Sequence, residues 1–402
     1  MKRRTRRSTP PAVASLMLAL VTVALLASCS KAAPPPASPR TGVVATSIPF
    51  NSTLVTSSGT WAVLPMGILG QPANTFWELF FRPLASTRWS LVTPPGVALN
   101  GGLTIAAAGD LLTAGIEPTN LLTYSPLAQR NTTKGTWAQG IVPGALAAGP
   151  DALASSVRGG LAAVLRAHSG QGAEVVESSG SILSWTDLVA QSALESSSGA
   201  SSCQVSSLTS VAFSSDGTEL VGADCSKPGL VGVFAATAGG WALVGPRLTG
   251  SLALQPAGVL RLWGAGHGTS GAAALVGVGR GAATDVVAAW RSGASWALSP
   301  PLDFAGAGIV SSGITGDGEV FVVVRRAGGS LELETVVPHG QWRPLAGLPP
   351  GTTTVSIEAG AVVDALAVTG ASTFIDWRWS AATGAWGKLQ AMRVPVPFGS
   401  SS

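Results

Sequence analysis

Apolar positions along this chain come in short runs broken by Gly, Pro, Asp or Ser, a rhythm of strands and tight turns rather than helices. Between Trp296 and Trp342 the pattern predicts a strand over Ile309–Ile314 and a turn at Gly316-Asp317-Gly318. A second strand follows over Glu319–Arg325, a turn at Gly328-Gly329, and a third strand over Leu331–Val337, where Leu alternates with Glu. The stretch around Trp342 supplies a fourth. Val205–Phe213 and Thr218–Ala223 flank Ser215-Asp216-Gly217 and read as a hairpin, because Asp-Gly accepts the backbone of a tight turn. Helical periodicity is confined to Trp185–Ser196, which predicts a helical or looped insertion.

The strands belong to a longer period. A Trp preceded by small or turn residues recurs at Trp89, Trp137, Trp185, Trp241, Trp296, Trp342 and Trp386, at intervals of 48, 48, 56, 55, 46 and 44 residues. A repeat of about 50 residues with four strands has the size of one propeller blade. Pro94-Pro95-Gly96, Val142-Pro143-Gly144, Pro300-Pro301 and Pro349-Pro350-Gly351 follow several of these tryptophans, where the chain would pass between blades. The segment from Gly42 to Trp89, with Gly59-Thr60-Trp61 and the aromatic Phe76–Phe81, has room for one further blade. The expected fold is therefore all-β, a β-propeller of seven four-stranded blades. Either Met392–Phe398 or Gly42–Phe50 is expected to close the ring by strand pairing across the first and last blades.

Trp377-Arg378-Trp379-Ser380-Ala381-Ala382-Thr383-Gly384-Ala385-Trp386-Gly387-Lys388-Leu389 resembles a kelch-type repeat, in which an aromatic strand leads through a short turn to Trp-x-x-Leu. Ala289-Trp290 through Trp296-Ala297-Leu298 repeats that spacing less fully, and the paired glycines with the preceding hydrophobic strand of such repeats are only partly present, at Gly159-Gly160 and Gly328-Gly329. Ser214-Ser215-Asp216-Gly217-Thr218 is similar to the Asp box of sialidase-type propellers, but one residue short and without its aromatic.

The N-terminus has a different composition. Lys2, Arg3, Arg4, Arg6 and Arg7 precede an apolar run from Ala12 to Leu26, the layout of an export signal. That run is too short for the roughly 20 residues of a spanning helix. Leu26-Ala27-Ser28-Cys29 resembles the lipobox of bacterial lipoproteins, whose peptidase cuts before a diacylated Cys. The resemblance implies a signal peptide at 1–28 and lipidation at Cys29. A Pro, Ala and Ser tether would occupy 29–41 and the propeller 42–398. Two acyl chains anchor stably where one does not, so the expected location is the outer face of a bacterial membrane.

Charge changes meaning once the signal is set aside. The whole chain carries 24 basic and 20 acidic residues, a formal +4, but five of the basic groups lie in the signal, leaving 19 against 20. No basic cluster remains beyond it, which disfavours nucleic acid as a partner. With 46% hydrophobic and 11% charged residues the chain is no disordered polyelectrolyte.

Candidate chemistry is sparse. Cys203 and Cys225 fall at the open end of the predicted hairpin, close enough for a disulfide in an oxidising compartment. The lone Tyr124 has no acidic neighbour in sequence, and His168, His267 and His339 lie far apart with no ligand spacing, so no metal and no cofactor are expected. Asp216-Gly217 and Asp317-Gly318 lack the alternating oxygen ligands of a calcium loop and read as hairpin turns. Gly264–Gly281 is Gly-rich but lacks the Lys and the strand-to-helix context of a phosphate loop. Glu332 and Glu334 share one face of their strand, as paired catalytic carboxylates would, although a strand with one wet face has the same pattern. Trp61, Trp77, Trp263, Trp290, Trp377 and Trp379 fall outside the repeat and are candidates for a carbohydrate-stacking surface. No catalytic residue is assigned. The expected role is a lipid-anchored, extracytoplasmic binding or scaffolding module for an envelope protein or glycan. The alternative is a sialidase-like hydrolase or lyase with its site at the central channel.

Replacing Cys29 with Ala is expected to abolish metabolic labelling with a fatty acid and leave the precursor uncleaved. Labelling and membrane retention equal to the wild type would reject the lipid anchor.

Overall fold

Short strands joined by tight turns become a row of antiparallel meanders. The computed structural model describes residues 43–44, 52–68, 75–94, 100–108, 111–118, 127–131, 135–140, 150–156, 160–165, 173–178, 182–197, 202–264, 272–304, 308–345, 347–359 and 362–394, and these are the residues discussed. Among the described residues these strands form five four-stranded sheets and one nine-stranded sheet, in which two successive groups of four are joined through Glu219–Cys225 and Ala257–Trp263, so that the chain runs as successive four-strand units. The first comprises Ser52–Thr56, Gly59–Gly67, Thr75–Pro83 and Ser90–Leu91, and the second Asn100–Ala108, Leu111–Pro118, Leu127–Asn131 and Trp137–Gly140. The third is Pro150–Ser155, Leu161–Leu165, Glu174–Ser178 and Thr186–Ala190. The fourth is Val205–Phe213, Glu219–Cys225, Gly232–Thr237 and Gly240–Leu243, and the fifth Ala257–Trp263, Ala272–Val278, Asp285–Ser292 and Ser295–Leu298. The sixth is Gly308–Ile314, Val320–Arg325, Leu331–Val336 and Arg343–Pro344, and the seventh Thr354–Ala359, Val363–Gly370, Thr373–Ser380 and Ala385–Arg393. The anticipated insertion is a single helical turn and a half, Gln191–Ser196, whose buried Gln191 donates to the Ser206 carbonyl and accepts from the Ala173 amide.

Seven apolar clusters lie between successive units. Trp61, Val63 and Leu79 of the first meet Leu103, Leu112 and Ile116 of the second, and the same relation continues along the chain through the sixth and seventh. The last cluster joins Leu366, Val368 and Phe374 of the seventh unit to Leu64, Met66 and Phe80 of the first. The chain is thus a β-propeller, with each sheet covered on both faces by its neighbours. The first strand of each unit is the inner one, and hydroxyls link several of them. Thr53 Oγ1 donates to the Ile357 carbonyl at 2.5 Å, Thr209 Oγ1 donates to the Val259 carbonyl at 2.6 Å, and the Ile357 amide donates to Ser311 Oγ at 3.1 Å.

The tryptophan period has a structural origin. Each periodic Trp opens or immediately precedes the fourth strand of its unit and packs into the cluster shared with the preceding unit, Trp89 into the one shared with the seventh. Trp296 Nε1 donates to the Val244 carbonyl at 2.6 Å and Trp342 Nε1 to the Pro300 carbonyl at 2.9 Å. In both cases the acceptor lies just beyond the fourth strand of the preceding unit, so the indole fills the seam and also fastens its rim.

Of the two segments expected to close the ring, residues 42, 45–50 and 395–398 lie outside the described residues. Val43–Val44 pairs in parallel with Gly281–Ala282 of the fifth unit, and Met392 pairs with Phe374 inside the seventh. The first and last sheets are each complete; the Gly67 amide donates to the Ala371 carbonyl at 2.6 Å, and side chains make the rest of the joint. Arg82 Nη1 lies 2.7 Å from Asp364 Oδ2 and 3.2 Å from Asp376 Oδ2, with side-chain exposures of 7% for the arginine and 0% for both acids. Arg378 grips Asp364 with two bonds of 2.8 and 2.7 Å. Trp89 Nε1 donates to Asp376 Oδ2 at 2.7 Å, and its ring lies under the Arg82 guanidinium. Burial, and then the neighbouring Asp364, push Asp376 up to about 6 against the pull of Trp89 and the two arginines.

Replacing Arg82 with Met leaves Asp364 with Arg378 alone and Asp376 with the Trp89 indole as its remaining donor. It is expected to destabilise the fold by about 3–5 kcal/mol, read as a lower urea midpoint at unchanged slope. A midpoint equal to the wild type would show that the seam is held by its apolar cluster alone.

Candidate functional site

In a chain so poor in charge, each charged group drawn into the fold has to find a partner, shift its protonation, or serve a ligand. Arg82, Asp364, Asp376 and Arg378 satisfy one another in the closing seam. Glu78, which accepts from Thr93 Oγ1, Arg130 and Glu334 are each shifted by burial, and three further places stand out.

The first is a carboxyl pair between the third and fourth units. Glu177 lies on the third strand of its unit, and Glu219 opens the second strand of the next, directly after the turn at Ser214–Thr218. The two side chains share a hydrogen bond, and Glu219 is raised to about 7 by burial first and by Glu177 second. Such a bond needs one carboxyl to keep its proton, which is what burial and like charge together enforce. On the same third unit Glu174 is raised as well, by burial and then by Asp187.

The second is Asp224, buried beside the disulfide where the second strand of the fourth unit pairs with Ala257–Gly258 of the fifth. Burial raises it to about 6 despite a 2.6 Å bond from Ser207 Oγ.

The third is Arg261, on the inner strand of the fifth unit. The run Ala257-Gly258-Val259-Leu260-Arg261-Leu262-Trp263 is apolar apart from this residue, and a bulge at Leu260 sets Arg261 opposite Leu275. Its guanidinium lies 5.8 Å from the centre of the Trp263 ring, on the same strand face. Among the described residues it forms no hydrogen bond and no ion pair. Burial lowers its pKa to about 10, so it remains protonated at neutral pH, while the side chain keeps some accessible area. A cation surrounded by protein yet open to solvent fits a position at the inner ring of the toroid.

The sequence-derived candidates fare unevenly. Cys203 and Cys225 are joined by a disulfide, with Cα atoms 4.9 Å apart. Cys29, Tyr124, His168 and His267 lie outside the described residues. His339 is exposed in a turn with φ +63°. Asp216 and Asp317 are turn residues: Asp216 accepts from Ser214 Oγ at 2.6 Å and from the Thr218 amide at 2.9 Å, and Asp317 accepts from Thr315 Oγ1. Those bonds hold Asp216 down to about 2. Glu332 and Glu334 part company, because Glu332 pairs with Arg326 at 2.6 Å on the surface while Glu334 is buried. The tryptophan surface is not formed by the residues proposed for it. Trp61, Trp263 and Trp290 are buried in the seams, and Trp77 and Trp377 pack against seam clusters. Trp379 lies 5.3 Å from the ring of Trp386. Among the described residues no group of three His, Cys, Asp or Glu is arranged to hold a metal, and no helix is long and apolar enough to cross a membrane.

Sequence reasoning missed both Glu177–Glu219 and Arg261. The first had no signal, since the partners are joined only by the packing of two units. Arg261 had one: a single charge inside an otherwise apolar strand.

Because the folded-state pKa of Glu219 lies above its ordinary value, its proton stabilises the fold fully below about 4.5, and that contribution is lost as pH rises through about 7. The melting temperature is expected to fall across this window, and Glu219→Gln to flatten the fall. A variant with the same slope as the wild type would mean that the pair does not form.

No family model matches the chain, and no curated protein matches it in sequence. Among solved structures, it resembles a protein from Bacteroides uniformis described as a candidate 6-phosphogluconolactonase, with 12% identity and a TM-score of 0.51 over 85% of this chain and 98% of the other. A Bacteroides fragilis protein of the same description gives the same values. A puromycin-hydrolysing peptidase from Mycobacterium tuberculosis gives 13% identity and a TM-score of 0.50 over 89% of this chain, which spans 56% of that enzyme. At such identities the likeness is one of fold.

Proposed function

We infer that this chain is a lipid-anchored, extracytoplasmic propeller of seven blades that binds or scaffolds an envelope ligand or protein partner. The observation that carries the reading is the Cys203–Cys225 disulfide, taken together with N-terminal residues whose pattern, ending in Leu26-Ala27-Ser28-Cys29, resembles a lipoprotein export signal. A structural disulfide belongs to an oxidising compartment, and the lipobox tells how the chain is held there. The Pro, Ala and Ser tether places the toroid clear of the bilayer, and the closed ring offers a rigid platform. Lys31 and Arg40 lie in the tether, so the domain carries 17 basic against 20 acidic groups, a net −3 that does not draw nucleic acid or an anionic membrane surface. Its membrane attachment is therefore assigned to lipid alone.

A second reading, a carbohydrate-active hydrolase, is favoured by Glu177 and Glu219. A carboxyl that keeps its proton beside a second carboxyl is a pair from which general acid–base hydrolysis can be built. Two of the structural neighbours are described as candidate 6-phosphogluconolactonases.

The two readings are separated by assaying the purified protein on sugar lactones and glycans alongside Glu177→Gln and Glu219→Gln. The binding reading expects retention on immobilised envelope polymers or exported proteins, unchanged by either substitution, and no turnover. Turnover that falls about 100-fold or more in both variants would replace it with the hydrolase.

A further inference from the structure

The seam between the fifth and sixth units is fastened by hydrogen bonds along its length. Trp290 Nε1 donates to the Gly318 carbonyl at 2.7 Å, Trp342 Nε1 to the Pro300 carbonyl at 2.9 Å, and Arg326 Nη1 to the Asp303 carbonyl at 3.0 Å. Its apolar filling includes Leu260, Trp263 and Leu275 from the fifth unit and Ile309, Ile314 and Val322 from the sixth. Two polar side chains on the inner strands stand apart from this pattern. Arg261 shares its strand face with Trp263, which packs into the seam. Ser312 shares its face with Ile314, lies opposite Val322, and so faces the same seam from the other side. Ser312 is 1% exposed, and its Oγ has no hydrogen-bond partner among the described residues. Among the described residues Arg261 has no carboxylate partner.

A guanidinium and a hydroxyl without partners on the two walls of one seam are complementary to a third group that is negatively charged and accepts hydrogen bonds. We propose that the inner end of the seam between the fifth and sixth units is an oxyanion site. There Arg261 grips the ligand's carboxylate or phosphate with its planar fork and Ser312 donates its hydroxyl, while Trp263 fixes the guanidinium plane. The proposal deepens the binding-module reading and rests on it: the envelope ligand carries an acidic group that enters the toroid at this seam. A guanidinium presents parallel N–H donors that match two oxygens of one anion, which a lysine cannot do. The indole beneath Arg261 restricts how the fork can turn. The seam thus selects for oxyanions over chloride and for arginine over any other cation.

The test uses the full chain in detergent, titrated calorimetrically with sodium acetate, sodium glucuronate and inorganic phosphate, with sodium chloride at matched ionic strength as the control. At least one oxyanion is expected to bind saturably and raise the melting temperature beyond chloride, and the arm that responds separates a sugar acid from free phosphate. Arg261→Met is expected to weaken that binding roughly tenfold or more, and Ser312→Ala several-fold. If Arg261→Met does not fold, Arg261→Lys carries the test, because it keeps the charge and loses the fork. No saturable binding by any of the three, a response equal to chloride, or unchanged affinity in the arginine variants would overturn the site. Continued capture of an envelope partner by Arg261→Met would leave the binding-module reading standing while removing this site from it.

Discussion

A sheet that is apolar on both faces has to be covered on both, and a row of such sheets leaves two wet faces unless the row bends back on itself. That requirement governs this molecule. Phe80, Leu64 and Met66 on one end sheet and Leu366, Val368 and Phe374 on the other have no cover except each other. Other propellers can secure this joint by completing one blade with strands from both chain ends. Here the two end sheets are independently complete, so closure falls to side chains and to one backbone bond, from the Gly67 amide to the Ala371 carbonyl. Arg82 reaches across to Asp364 and Asp376, and Trp89 supplies both a ring for the cation and a donor for the acid. Buried charge is expensive, and its concentration at the one joint that the chain does not tie covalently gives that joint directional specificity that apolar packing lacks.

The same economy explains where the remaining polar groups lie. Hydroxyls of Thr53, Thr209 and Ser311 link neighbouring inner strands through backbone groups. Indoles of Trp296 and Trp342 do the same at the outer rim. Several seams are held at an inner or outer margin by such neutral bonds around an apolar filling, and charge enters where the ring closes, where Glu177 and Glu219 meet, and at Glu78, Asp224, Glu334 and Arg261.

Local features were legible in the sequence and long-range ones were not. The strands Val205–Phe213 and Leu331–Val336, the Asp-Gly turns, the disulfide and the helical insertion after Trp185 all depend on residues within one repeat, where alternation and turn chemistry carry the information. The tryptophan period was readable because one position of each repeat meets the same demand. Trp61, Trp263 and Trp290 were misread as a surface because an indole in a strand looks alike whether the strand faces solvent or another sheet. The closing latch joins residues 282 positions apart and leaves no trace in local pattern. The Glu177–Glu219 pair is hidden for the same reason, since only the packing of consecutive units brings a late strand of one against an early strand of the next.

The latch also sets an order of assembly. Units two to six bury their faces against partners made just before or just after them, but Arg82 is made among the first hundred residues and must wait for Asp364 and Asp376 near the end. Contacts of such high sequence separation form last and gain nothing until the loop between them is ordered. A chain released before its seventh unit loses more than that unit. The sixth sheet keeps one face bare, the first keeps another, and Arg82 is left without either acid, so that a single missing segment opens two sticky edges on opposite ends of the remaining chain.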